Sequence, residues 1–150
     1  MLDTLMKFGA YRVNYFEGFT QRNPDAFGFY IRAEFEDGQA YSHDAKHQLY
    51  AGLDLIQRFM GMQNLAGIYL DVNCLKNLQR PAYKQMKQDV LSGYFRRVLV
   101  LDEGALNGCP GAARDLHELA VLVGGLEVLC WRRSKMTLRL IGEPVLNQLA

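Results

Sequence analysis

A chain of 150 residues and 17.1 kDa, 49% apolar and 22% charged with a net charge of +1, has the composition of one globular domain. That balance excludes a disordered chain and leaves enough apolar side chains to bury a core without disulfides or a structural metal. No apolar run approaches the ~20 residues of a membrane span, and Met1 to Lys7 carries an acid, Asp3, rather than a secretory signal, so a soluble, cytoplasmic protein is expected.

Along the chain, Tyr11, Val13 and Tyr15 alternate as in a strand, and Gly18 to Pro24 reads as a turn-rich connector. Residues 1–26 are accordingly expected to be an extension to a core at 27–131, one that either adds an edge strand or covers a pocket of the core. Phe27 to Phe35 is aromatic-rich and bounded by Pro24-Asp25 and Asp37-Gly38, which predicts a strand. Ser42 is a helix N-cap with Ala45 at N3, and Leu49, Leu53, Ile56 and Met60 form the expected apolar stripe of that helix. Gly61 and the stretch Asn64 to Gly67 should end it. Ile68-Tyr69-Leu70, leading to Asp71, predicts a second core strand.

Pro81 suits the first turn of a second helix, with Tyr83, Met86 and Val90 on one face and Ser92-Gly93 closing it. Val98 to Leu101 is a continuous apolar run, as in a central strand covered on both faces. Gly104 to Pro110 is a connector, and Leu116, Leu119, Ala120 and Val123 mark a third helix stopped by Gly124-Gly125. Leu126 to Trp131 predicts another strand, and Met136 to Ile141, in a tail at 132–150, predicts a strand or a short helix. The alternation of strand and helix predicts an α/β domain, a three-layer sandwich with a largely parallel central sheet and helices on both faces.

Charge is unevenly distributed. Residues 1–75 hold 6 basic and 9 acidic side chains, and residues 76–150 hold 11 basic and 7 acidic. The basic excess lies in Lys76, Arg80, Lys84 and Lys87, and in Arg132, Arg133, Lys135 and Arg139, surfaces that a polyanion can use. Cys74, Cys109 and Cys130 have no ligand-pair spacing, and His43, His47 and His117 add none, so neither a metal nor a cofactor is expected. Cys130 reads as core. No phosphate-cradling glycine motif and no nucleophile elbow occurs. Asp102 and Glu103 stand at the end of the expected central strand, where α/β sheets place ligands, and Glu34, Glu36 and Asp37 crowd the end of the first. Both groups read first as solvated loop residues.

The stretch Tyr30 to Trp131 resembles the catalytic domain of serine recombinases, the resolvase/invertase family, and its large-recombinase branch in particular. Tyr30-Ile31-Arg32 is similar to the family's opening strand motif, and Tyr41-Ser42-His43-Asp44-Ala45 to the segment that opens its first helix. Asp71, then Arg80-Pro81-Ala82-Tyr83, Met86 and Asp89 to Gly93, is similar to the family's Asp…Arg-Pro…Met…Asp-Ile-x-x-Gly run. The family's serine attacks a DNA phosphodiester while arginines stabilise charge on the phosphate.

The resemblance places Arg32 and Arg80 on catalytic arginines and Asp71 on an acidic site position. It also places Glu34 on the nucleophilic serine, Ala105 and Gly108 on two further arginines, and Lys46 on a glutamine. The nucleophile and two cationic supports are thus missing together. The implied function is a non-catalytic resolvase-like domain, an interaction or regulatory module linked to DNA recombination or mobile elements. It would partner an active recombinase or its own copy, with Tyr83, Met86 and Trp131 as candidate interface residues. The family's long helix and DNA-binding domain find no room in 150 residues, so any DNA contact, through Arg80, Lys84, Arg132 and Arg133, is expected to be phosphate-based and weakly specific. Two alternatives accompany it: a metal-dependent phosphodiester enzyme built on Glu34, Asp71, Asp102 and Glu103 beside Arg32 and Arg80, and a sequence-independent nucleic-acid binder.

Overall fold

The fold is taken from a computed structural model, which describes residues 11–20, 23–34, 42–72, 80–102, 104–107, 111–132 and 135–141. Six strands form one sheet: β1 (Tyr11–Tyr15), β2 (Phe27–Ala33), β3 (Leu65–Val72), β4 (Arg97–Val100), β5 (Leu126–Arg132) and β6 (Lys135–Ile141). Between them, among the described residues, lie the α-helices α1 (His43–Leu55), α2 (Pro81–Leu91), the short α3 (Gly104–Asn107) and α4 (Ala112–Val123). The sheet order is β1-β3-β2-β4-β5-β6.

The protein is α/β, but the sheet is mixed rather than largely parallel. The four inner strands run parallel, β3 to β2, β2 to β4 and β4 to β5. Each edge adds an antiparallel strand, β1 on β3 and β6 on β5. The reason at one edge is local. Two residues separate Arg132 from Lys135, a connection that permits a hairpin and forbids the long crossover a parallel neighbour requires. Met136 to Ile141 is therefore a strand, and Tyr11 to Tyr15 adds an edge strand, one of the two alternatives for the N-terminal extension.

Alternation along β2 divides the interior in two. Phe27, Phe29, Ile31 and Ala33 join a cluster with Ala45, Leu55 and Ile56 of the α1 side, whereas Tyr30 joins Tyr69, Tyr83, Met86, Leu116 and Leu119 of the α2 and α4 side. Helix α1 packs on β2, α2 on β3 and β1, and α4 on β5 and β6. Cys130 is core, as expected; Cys74 and Cys109 lie outside the described residues. Tyr83 and Met86 are buried in this interior and form no surface.

Ser42 caps α1 as its sequence predicts, its hydroxyl oxygen accepting from the Ala45 N–H at 3.1 Å. The buried line of the helix differs from the predicted stripe, running through Ala45, Gln48, Gly52 and Leu55, while Leu49 and Leu53 are half-buried. Gly52 explains the rotation, because a Cβ there would stand 2.0 Å from the Phe29 ring. The large aromatic of β2 fills the space between layers, and the helix meets it with its smallest residue. After a turn of π-helix over Ile56–Met60, Gly61 takes φ +87 and breaks the helix. Leu65 to Gly67 belong to β3 rather than to the expected helix-ending turn.

Candidate functional site

Beyond the C-terminal ends of β2 and β4 the chain leaves the sheet in opposite directions, to β3 on one side and β5 on the other. That reversal of order makes a crevice where open α/β sheets bind ligands. It has a volume of about 510 Å³, the size of a small-molecule site. Arg32 and Glu34 from the end of β2, Asp44, His47 and Gln48 from the first turns of α1, Leu101, Asp102, Gly104 and Ala105 after β4, and Trp131 near the end of β5 line it.

Backbone bonds set its wall on the α1 side. The Glu34 N–H donates to Asp44 Oδ2 at 2.8 Å, and the Ser42 hydroxyl donates to the Glu34 carbonyl, so the chain leaving β2 is tied to the start of α1. Gln48 Nε2 donates to the Arg32 carbonyl at 3.2 Å, which fixes the amide orientation; among the described residues Gln48 Oε1 and Arg32 Nε, both buried, have no hydrogen-bond partner. Three carboxylates, of Glu34, Asp44 and Asp102, and one guanidinium, of Arg32, stand in the lining, which gives it an acidic excess.

Beneath the crevice lies the residue set that the resemblance singles out. Arg32 and Asp71 are paired positions of the parallel β2 and β3, so they stand side by side on the α2 face. Asp71, fully buried, caps α2 from outside the helix: Oδ1 accepts from the Ala82 N–H and Oδ2 from the Tyr83 N–H, both at 3.0 Å. Arg80, the N-cap residue, supplies no capping side chain, and Pro81 at N1 has no N–H to satisfy. Asp71 and Pro81 together thus account for the first turn of α2. Tyr30 also donates to Asp71 Oδ2, at 2.9 Å. Burial pushes the Asp71 carboxyl up from its ordinary range, and the two backbone N–H groups, the Tyr30 hydroxyl and the Arg80 guanidinium pull it back only in part.

Arg80 is 0% exposed. Its Nη1 donates to the Ala105 carbonyl at 2.9 Å, its Cζ lies 4.1 Å from the centre of the Tyr83 ring, and its Nε and Nη2 have no partner. The guanidinium is part of the interior and no part of the surface, so it does not join Lys84, which is exposed on α2, in a nucleic-acid face. The backbone of Arg132 ends β5, and Arg133 lies outside the described residues with Lys76, Glu36, Asp37, Glu103 and Gly108. Lys87 is occupied by Asp115 at 2.6 Å. The structure therefore brings together Arg32, Glu34, Asp71, Arg80 and Ala105 at one end of the sheet and leaves Lys84 apart.

Three further tyrosine-to-aspartate bonds lie on this α2 face, and sequence reasoning predicts none of them. Tyr15 and Tyr69 both donate to Asp89 Oδ2, at 2.9 and 2.6 Å, and Tyr83 donates to Asp115 Oδ2 at 2.9 Å. Burial and the aspartate raise each hydroxyl, that of Tyr15 to about 12. The available sequence signal was weak: Tyr15 and Tyr69 alternate on strands, and Asp89 sits three residues from Met86 on the predicted buried face of its helix.

Among the described residues no three His, Cys, Asp or Glu side chains stand close enough together to hold a metal ion, and Asp71, one carboxylate of the metal alternative, already accepts from three protein donors. Among them also, no helix is long and apolar enough to cross a membrane. No family model, no curated protein and no solved structure matches this chain.

Proposed function

We propose that this chain is a non-catalytic, resolvase-like interaction module, a three-layer α/β domain that keeps the architecture of a recombinase core without its reaction. The observation that carries the reading is the make-up of the crevice. Phosphoryl transfer needs a nucleophile and converging cations, and the crevice presents Glu34, Asp44 and Asp102 against Arg32. Arg80, the second arginine of the resemblance, is committed to the Ala105 carbonyl and the Tyr83 ring. Ala105, at the position of a third, is an apolar residue of the core.

The contact surface of the module is the β6 edge. Leu138 and Leu140 are 55% and 45% exposed on a seven-residue edge strand. With Met136 they share the face of their cross-strand partners, Trp131 opposite Met136, Leu129 opposite Leu138 and Glu127 opposite Leu140. Such an edge pairs readily with another strand. Antiparallel pairing with a second copy, centred on Leu138, sets Met136 opposite Leu140 and Thr137 opposite Arg139, apolar to apolar and polar to polar. A link to DNA recombination rests on the resemblance alone.

The test is a pair of measurements on the full chain. Incubation with supercoiled DNA should yield no covalent protein–DNA adduct, and sedimentation should show concentration-dependent self-association. An adduct, or a monomer at every concentration, overturns the proposal.

A further inference from the structure

We infer that the switch-point crevice binds a small cationic ligand, one that carries an alkylammonium or alkylguanidinium group, rather than a phosphate. The inference deepens the reading of the crevice as a site without recombinase chemistry. Three independent features point to a cation.

The first is charge. Asp44 and Asp102 each spend one carboxylate oxygen on a backbone N–H, of Glu34 and Gly104, and keep the other. Among the described residues the Glu34 carboxylate has no hydrogen bond or ion pair, and Arg32 is the single lining residue of fixed positive charge. A dianionic phosphate would meet a net repulsion here, and a monocation a net attraction.

The second is an unmet acceptor. Gln48 is 8% exposed, lines the crevice, and has its amide nitrogen committed to the Arg32 carbonyl, so its Oε1 is a buried acceptor with no donor among the described residues. A buried acceptor left unpaired is costly, and a ligand N–H removes that cost. A phosphodiester offers no such donor, and the single O–H of hydrogen phosphate comes with the charge that the carboxylates repel.

The third is an aromatic wall. Trp131 lines the same crevice, with the Phe59 ring stacked on it at 5.7 Å between centroids and 26° between planes. An indole face is the strongest side-chain partner for an alkylammonium or guanidinium group. Arg32 is the one feature set against a cation. It sharpens the test, because a cation site and a phosphate site respond to its removal with opposite sign.

Trp131 is the chain's single tryptophan, so its emission reports the crevice directly. Agmatine is titrated into the full-length chain, with inorganic phosphate titrated separately. Saturable perturbation of the emission by agmatine is expected, with Glu34→Gln and Asp102→Asn each weakening the apparent Kd by about threefold, the scale of one solvated charge pair. Arg32→Gln should tighten it by a similar factor. Thermal transitions of the variants establish that each is folded, and a folded Glu34→Gln suffices if Arg32→Gln fails to fold. The inference is overturned if agmatine gives no saturable response up to ~10 mM, the weak end of specific binding. It is equally overturned if phosphate saturates instead and Arg32→Gln abolishes that response. The DNA-adduct and sedimentation measurements contain no agmatine, so failure of the interaction-module reading registers there and failure of the cation site here.

Discussion

Arg80 occupies the interior with one hydrogen bond and two aromatic faces, and it is Asp71 that makes this tenable. The carboxylate accepts from three groups at once, the Tyr30 hydroxyl and the two N–H groups of the α2 first turn, and its charge acts on the guanidinium. Removing it strands three buried donors, so Asp71→Ala should cost about 3–5 kcal/mol, at roughly 1–2 kcal/mol for each donor left unpaired. A urea titration checks this, with a lowered midpoint and an unchanged slope expected.

The tyrosines of the same face set a pH limit. The hydroxyls of Tyr15, Tyr69 and Tyr83 are raised above their ordinary value of 10.0 by burial and by their aspartates. Between that value and the raised one, the folded chain holds protons that the unfolded chain has lost. Their stabilisation is therefore fully present below pH 10 and falls as pH climbs through the folded values. The part of the tyrosinate absorbance that belongs to the buried Tyr69 and Tyr83 should appear together with the loss of circular dichroism, since these two rings ionise freely only on unfolding. Ionisation of the buried rings well before loss of ellipticity would contradict the assignment. At this scale the sequence pointed to Asp71, Arg32 and Arg80 as a group, through a resemblance alone. Their local work was illegible, because capping in trans depends on where β3 ends relative to α2, which no spacing encodes.

Among the elements, α1 shows most clearly how packing overrides pattern. Its leucines predict one buried stripe, and the structure buries a line of small and polar residues beside it, because Phe29 occupies the intervening space. Gly52→Ala opposes two effects. Alanine gains about 0.5–1 kcal/mol of helix propensity, whereas overpacking a filled core costs about 1–3 kcal/mol. With a Cβ at 2.0 Å from a ring carbon, the clash should win and the variant should be less stable. Pairing it with Phe29→Leu should recover part of the loss, and simple additivity of the two in a double-mutant cycle would count against this account. Helix caps and breakers were legible, Ser42, Pro81, Gly93 and Gly124 among them, since each acts within one turn. Strand direction at the sheet edges was not, because hydrophobic alternation is the same in parallel and antiparallel strands. The two-residue gap before Lys135 was the available sign. The short α3 was missed for want of length, four residues being too few to show a period.

For the whole molecule, the two sheet faces are unequally covered. Helices α2 and α4 span one face from β1 to β6, whereas α1 covers the other at β2 and leaves the β5–β6 end bearing exposed Leu138 and Leu140. Self-association through β6 would lengthen this sheet across two copies and shelter that end. Leu138→Asp, central in the proposed pairing and outside the crevice lining, should shift the sedimentation profile toward monomer by at least ~10-fold in dissociation constant, as two like charges meet at the pairing axis. Retained association of this variant, with its thermal transition intact, would place the contact elsewhere.

The mixed sheet also carries an order of assembly. At one edge, two residues of chain separate β5 from β6 and their pairing closes almost no loop. At the other, β1 aligns Tyr11 with Asp71 and Tyr15 with Gly67, so its ladder waits until more than fifty residues of chain have been gathered. Loop-closure entropy favours the first edge early and the long-range pairings, of β1 with β3 and of β2 with β4, later. Tyr15 reaches Asp89 across the β1 edge, so the bond ties the extension to α2 as well as to β3. The extension is thus a latch, fastened through a side chain as well as through its ladder.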